Sequence, residues 1–178
     1  YVRSDKIHTL TVKAGKTTGI SLTDVEQLGS ITIYKEGEVL VGWNGSNFTY
    51  ETRKLPGATF KVTAGADIYK ADGTKVYSKG DVIAENLVSG SDGQVVLSDL
   101  HLGTYVVTET KSIDGYTINT TPQTVKIEYK DQNVTVQAES TTIKNSRQKA
   151  EVSVVKKDSD TDNPLTGGQY TLYAGNDI

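Results

Sequence analysis

The chain has 178 residues, a net charge of −3 at pH 7, 35% hydrophobic residues and neither Cys nor Met. This acidic balance, without a Lys/Arg-rich stretch, argues against an electrostatic grip on nucleic acid. The lack of Cys excludes disulfides and thiolate metal sites, so a covalent staple would need other chemistry. The length allows one domain with a real core and something left over, and the missing initiator Met suggests a piece of a longer chain.

Short runs of Thr, Val, Ile and Tyr alternate with polar residues and are punctuated by Asn-Gly, Asp-Gly and Gly-Ser, the texture of an all-β chain. In chain order the expected strands are Thr9–Ala14, Gly19–Thr23, Ser30–Lys35, Val39–Trp43, Phe48–Thr52, Thr59–Thr63, Ile68–Lys70, Lys75–Tyr77, Gln94–Leu97, Gly103–Thr110, Gln123–Tyr129, Asn133–Ala138 and Thr141–Asn145. Asn44-Gly45 and Asp72-Gly73 are hairpin signals, since both dipeptides tolerate the positive φ of primed turns. Asp81–Leu87 is the one place where a short helical turn is expected. No apolar run reaches the length of a transmembrane helix or a signal h-region.

The chain also repeats itself. "LPGATFKVTAGADI" at 55–68 returns without gaps as "LTGGQYTLYAGNDI" at 165–178, and "SITIYK" at 30–35 corresponds to "VSVVKK" at 152–157 when Lys35 is matched to Lys156. The extra chain between Lys35 and Leu55 holds the Asn44-Gly45 hairpin. At the front, "TVK" at 11–13 matches 124–126, and "SLTDVEQ" at 21–27 parallels "TIKNSRQ" at 142–148. The expected organisation is the C-terminal end of one module (1–28), a complete module (29–148) and the opening strands of a third (149–178).

Three polar residues interrupt apolar strand faces. By period-two alternation Lys35 shares a face with Ile31 and Ile33, Glu109 with Tyr105 and Val107, and Asn145 with Thr141 and Ile143. A lysine kept in a dry interior loses its proton more readily, and a neutral amine is a nucleophile. Attack on the Asn145 carboxamide would form a Lys–Asn isopeptide bond with loss of ammonia, with Glu109 polarising the carbonyl and shuttling the proton. Matching positions in the flanking copies are Asp24, which shares a face with Ile20 and Leu22, and Lys156, which shares one with Val152 and Val154.

On these residues, "SITIYK" with Lys35, "LPGATF", "LGTYVVTETKSIDGY" with Glu109 and "TIKN" with Asn145, the segment 29–148 resembles the CnaB (SpaA-like, prealbumin-like) domains of Gram-positive surface adhesins and pilins. The resemblance implies a prealbumin-like, reverse immunoglobulin-like β-sandwich, here with an extra hairpin after the first strand, and a triad that closes its bond spontaneously. It further implies a structural stalk or repeat module at the cell surface, anchored to the wall through other parts of the parent chain, with like modules as neighbours and no cofactor. "KSIDGY" departs from the family at a place where a Pro is common. A ligand-binding adhesin domain using the 39–52 hairpin to hold a host protein or glycan is the alternative. A multiple-turnover enzyme is not expected, because no nucleophile–base–orienter set is visible.

Other signals carry less. "DSDTDN" from Asp158 resembles a calcium loop but has Asn163 and Gln169 where Gly and Glu belong, and reads as a polar turn. "LPGAT" at 55–59 reads as a strand entry, and His8 and His101 lack ligand-spaced partners, so no metal site is expected. Trp43, Phe48 and Tyr50 either cap the sandwich or form an exposed binding face, capping being the favoured reading.

Overall fold

The computed structural model describes residues 1–171 and 173. It divides into two units, residues 1–148 and 149–178. The first holds ten strands: β1 (Leu28–Trp43), β2 (Phe48–Lys54), β3 (Thr59–Ala64), β4 (Ile68–Tyr69), β5 (Lys75–Tyr77), β6 (Val82–Val88), β7 (Gln94–Leu100), β8 (Gly103–Lys111), β9 (Gln123–Ile127) and β10 (Val136–Asn145). One sheet runs β10-β1-β2 with β7 also on β1, the facing sheet runs β6-β3-β8-β9, and β4-β5 form a small ribbon.

Alternation decides what each sheet turns inward. Ile31, Ile33, Val95, Leu97 and Ile143 from one sheet meet Phe60, Val62, Ala64, Tyr105, Val107, Val125 and Ile127 from the other, all buried in one cluster. Each large apolar side chain removed from water in this way contributes about 1.5–3 kcal/mol. This all-β sandwich, with its additional β1–β2 hairpin, is the architecture expected from the sequence.

Strand β1 is the hub. Its residues 28–37 pair in parallel with β10, with Lys35 beside Ile143 and Gly37 beside Asn145. Along its other edge Gly29–Tyr34 pair with β7 and Glu36–Trp43 with β2, both antiparallel. The chain therefore begins and ends its sandwich side by side. Parallel pairing of the first and last strands requires the chain to cross between the sheets in between, here through β3 to β9.

Several expected boundaries change. The two short strands at 30–35 and 39–43 are one continuous β1, because Gly37 is an inward position and not a turn: a Cβ there would lie 2.4 Å from Leu55 Cδ1 and 2.9 Å from the Asn145 carbonyl oxygen. Likewise 136–145 is one strand, and Asp81–Leu87 contains no helical turn, since β6 runs through it and its backbone pairs with β3. Both expected hairpins form, but with only the glycines, Gly45 (φ 95°) and Gly73 (φ 86°), in the positive-φ region, so neither is a primed two-residue turn. At the first, Asn44 Oδ1 accepts from the amides of Ser46 and Asn47, giving a wider loop.

The expected strands at 9–14 and 19–23 do not form. That stretch is exposed and has no backbone ladder to join, and its neighbourhood holds only the isolated bridge Val2–Val25. In the second unit residues 149–171 also lack strands, with one bridge between Lys157 and Pro164. Part of the repeat at 165–178 lies outside the described residues. Asp158 Oδ1 accepts from the amides of Asp160 and Thr161, which makes "DSDTDN" a polar turn.

Two buried polar side chains, Gln27 and Ser89, went unnoticed in the sequence. Gln27 donates to the carbonyls of Asp131 and Val134 and accepts from the Lys130 amide, clasping the β9–β10 connection to the entry of β1.

Gly37→Ala should lower stability by about 1–3 kcal/mol, the cost of overpacking a filled site, because both β10 backbone and Leu55 would have to move. Urea unfolding at neutral pH checks this, and an unchanged midpoint would show that β1 and β10 can separate without cost.

Candidate functional site

Three polar side chains meet inside the sandwich. Lys35 is 0% exposed, Glu109 2% and Asn145 4%. Lys35 and Asn145 come from the adjacent parallel strands β1 and β10, two residues apart in register, and Leu55 and Tyr116 pack over Gly37, the residue beside Asn145. Glu109 comes from β8 in the facing sheet, opposite Phe60 on β3. The lysine backbone is fixed where β1 changes partners: its amide donates to Gly93 O at 2.8 Å and its carbonyl accepts from the Leu55 amide at 3.0 Å.

Glu109 Oε1 stands between the other two groups. It lies 3.6 Å from Lys35 Nζ and accepts from Asn145 Nδ2 at 2.8 Å. The amine also donates to the carbonyls of Ile143 and Glu36, both at 3.3 Å. Burial lowers the Lys35 pKa below its ordinary 10.5, and the adjacent Glu109 carboxylate opposes that shift. The sequence reading has Glu109 polarise the carbonyl and shuttle a proton to the leaving group, and Glu109 Oε1 stands at the carboxamide nitrogen. Asn145 Oδ1 is buried without a hydrogen-bond partner.

Three contributors escaped the sequence reading. The Asn119 amide donates to Glu109 Oε2 at 3.0 Å while its side chain donates to Lys144 O at 3.1 Å, tying the carboxyl to β10. Tyr116 Oη donates to Glu38 O at 2.7 Å, closing the loop after β8 over β1. Ser112 Oγ accepts from Asn145 Nδ2 at 2.7 Å. Alternation from Glu109 assigns Ser112 to the outward face, but β8 ends at Lys111 and the chain turns the hydroxyl back. Asn119 and Tyr116 lie in a loop, where no period marks them.

The remaining sequence candidates do not join this site. Asp24 is exposed and off any strand, because the strand expected to carry it has no partner. Lys156 and its neighbours Val152 and Val154 are likewise exposed, so no inward face forms around that lysine. Trp43 and Phe48 pack edge to face at 5.1 Å but remain 58% and 52% exposed, and Tyr50 is half-buried. The favoured capping reading is corrected: this part of the hairpin runs past the end of β10, and the aromatic pair stays in solvent.

A pH dependence follows for an Asn145→Ala chain, which keeps amine and carboxyl but has no carboxamide to attack. Unfolded Lys35 holds its proton up to about 10.5, whereas folded Lys35 releases it earlier. Between those values the unfolded state binds more protons, so stability rises with pH; below the folded value both states are protonated and the burial penalty is constant. Urea unfolding from neutral pH to about pH 10 should show this rise, and it should vanish when Lys35 is also changed to Met.

The family model for the SpaA prealbumin-like fold domain matches residues 48–142, a span that includes Glu109 and leaves Lys35 and Asn145 on either side. No curated protein matches the chain. Among solved structures, the minor pilin GBS52 of Streptococcus agalactiae aligns at 22% identity and TM-score 0.47, over 74% of this chain and 50% of that one. The major pilin SpaA of Corynebacterium diphtheriae aligns at 24% and 0.46, over 68% and 31%. SpaD, a major pilin of the same organism, aligns at 25% and 0.42, over 71% and 32%. This chain thus spans half or less of each of those proteins. With more than half of its residues matched by the family model and the expected sandwich in place, the chain belongs to the SpaA family of prealbumin-like fold domains.

Proposed function

We propose that this chain is a structural module of a Gram-positive surface protein that closes an isopeptide bond between its own Lys35 and Asn145. The observation that carries this reading is the single Glu109 oxygen placed 3.6 Å from the amine and 2.8 Å from the carboxamide nitrogen in a fully buried site. Proton transfer from Lys35 to Glu109 turns an expensive buried ion pair into a neutral amine and a carboxylic acid. The amine attacks Asn145 Cγ. Glu109 gives its proton to the departing nitrogen and takes one from the attacking nitrogen, ammonia leaves, and Glu109 ends as the carboxylic acid, holding the proton that Lys35 gave up. The reaction happens once and needs no cofactor.

The benefit is mechanical and thermodynamic. β1 and β10 run parallel, so tension applied at the two ends of the sandwich shears them past each other. A Lys35–Asn145 bond carries that load directly and shields the residues between. By the loop-closure relation for disulfides, a link of this span adds about 5 kcal/mol. A stalk position at the cell surface, with like modules before and after it in the parent chain, suits such a device in a protein without cysteine.

Intact mass of the purified chain should fall one ammonia short of the sequence mass, and Lys35→Ala or Glu109→Ala should restore the full value. A full-mass wild-type chain in the folded state contradicts the bond.

The exposed Trp43–Phe48 pair favours a second reading, contact with a glycan through the hairpin. A glycan array probed with wild-type and Trp43→Ala chains of equal melting temperature tests it. Binding lost only in the variant supports the reading, and identical profiles remove it.

A further inference from the structure

Ser112 lies outside the three reacting positions, yet its hydroxyl touches a reacting atom. Asn145 Nδ2 has two hydrogens, and both are taken: one by Glu109 Oε1 at 2.8 Å, the other by Ser112 Oγ at 2.7 Å. The carboxamide oxygen has no partner. The side-chain contacts on this carboxamide therefore gather at the leaving nitrogen. Ser112 is also the only one of the four residues that is not fully buried, so it stands between the dry trio and solvent.

Resting on the isopeptide reading, we infer that Ser112 is a fourth catalytic residue, which holds the Asn145 nitrogen while it is protonated and receives it as it departs. In the adduct, Cγ bears Oδ1 as an oxyanion, the lysine nitrogen and Nδ2. Glu109 delivers its proton to Nδ2. The Cγ–Nδ2 bond breaks with its electron pair going to nitrogen, the C=O bond re-forms from the oxyanion, and Glu109 recovers a proton from the former lysine amine. Throughout, Ser112 Oγ accepts an N–H of the leaving group. That bond keeps Nδ2 against the Glu109 proton during its change from planar to pyramidal, and it draws the released ammonia toward the exposed side. A serine hydroxyl suits the task because it accepts from nitrogen and turns its own hydrogen away. Without it, one buried N–H would lose its acceptor and the carboxamide would be free to rotate off Glu109.

The test follows bond closure in newly made full-length chain: cell-free synthesis is pulsed, samples are quenched in acid at intervals, and intact mass reports the fraction that has lost ammonia. Ser112→Ala and Ser112→Val should slow closure by about tenfold or more, the effect of one hydrogen bond on a barrier. Ser112→Thr, which has the shape of Val and keeps the hydroxyl, should close within about threefold of wild type. Closure of Ser112→Ala at the wild-type rate, or Ser112→Thr as slow as Ser112→Val, would overturn the role of the hydroxyl while leaving the bond itself in place. A wild-type chain that never loses ammonia would remove the bond and this role together.

Discussion

The parallel pairing of the first and last strands is the constraint on which the rest depends. It places Lys35 beside Ile143 and Gly37 beside Asn145, so the amine and the carboxamide are diagonal neighbours and not opposite ones. The geometry suits the residue types. A lysine stem is long enough to reach two residues along the sheet, and the inward position beside Asn145 is a glycine, Gly37. A side chain at 37 would meet Leu55, the Asn145 backbone and Tyr116. Glu109 is then supplied from the facing sheet, so the site exists only once both layers have closed. In the proposed reaction folding comes first and chemistry second.

Such a site is costly while its groups stay ionised. Ionised groups lose several kcal/mol of hydration on burial, and an ion pair with imperfect hydrogen bonds does not recover it. Here the amine and the carboxylate are 3.6 Å apart, and the amine's other partners sit at 3.3 Å. Transfer of one proton removes both charges, and the proposed amide formation removes the amine altogether. The unfavourable electrostatics of the folded, unreacted chain thus point along the proposed reaction. The same low dielectric that lowers the Lys35 pKa favours the neutral amine that the proposed reaction needs.

Much of this was legible because a strand hides nothing from period-two counting. Lys35 follows Ile31 and Ile33 on one face, Glu109 follows Tyr105 and Val107, Asn145 follows Thr141 and Ile143, and all three polar residues proved to be inside. Alternation failed where strands end or glycines mislead. Gly37 resembled a break and is a close-approach position within a continuous strand. Asp81–Leu87 has no clear alternation and pairs as an edge strand because β3 offers a free ladder. Ser112 lies past the end of β8, where alternation no longer tells which way a side chain turns, and Asn119 acts through its backbone as well as its side chain, which composition cannot reveal. The flanks are a different kind of failure. Residues 9–23 and 149–157 carry strand-like sequence, but a strand needs a neighbour for its amides and carbonyls, and pattern alone does not provide one.

The central claim concerns one covalent bond, and the most direct measurement is tandem mass spectrometry of a proteolytic digest of the folded chain. The account predicts a branched peptide in which the segment carrying Lys35 is joined through its side chain to the segment carrying Asn145, with fragment ions placing the junction at those two residues. Recovery of both segments only as separate linear peptides, each at full mass, would contradict it.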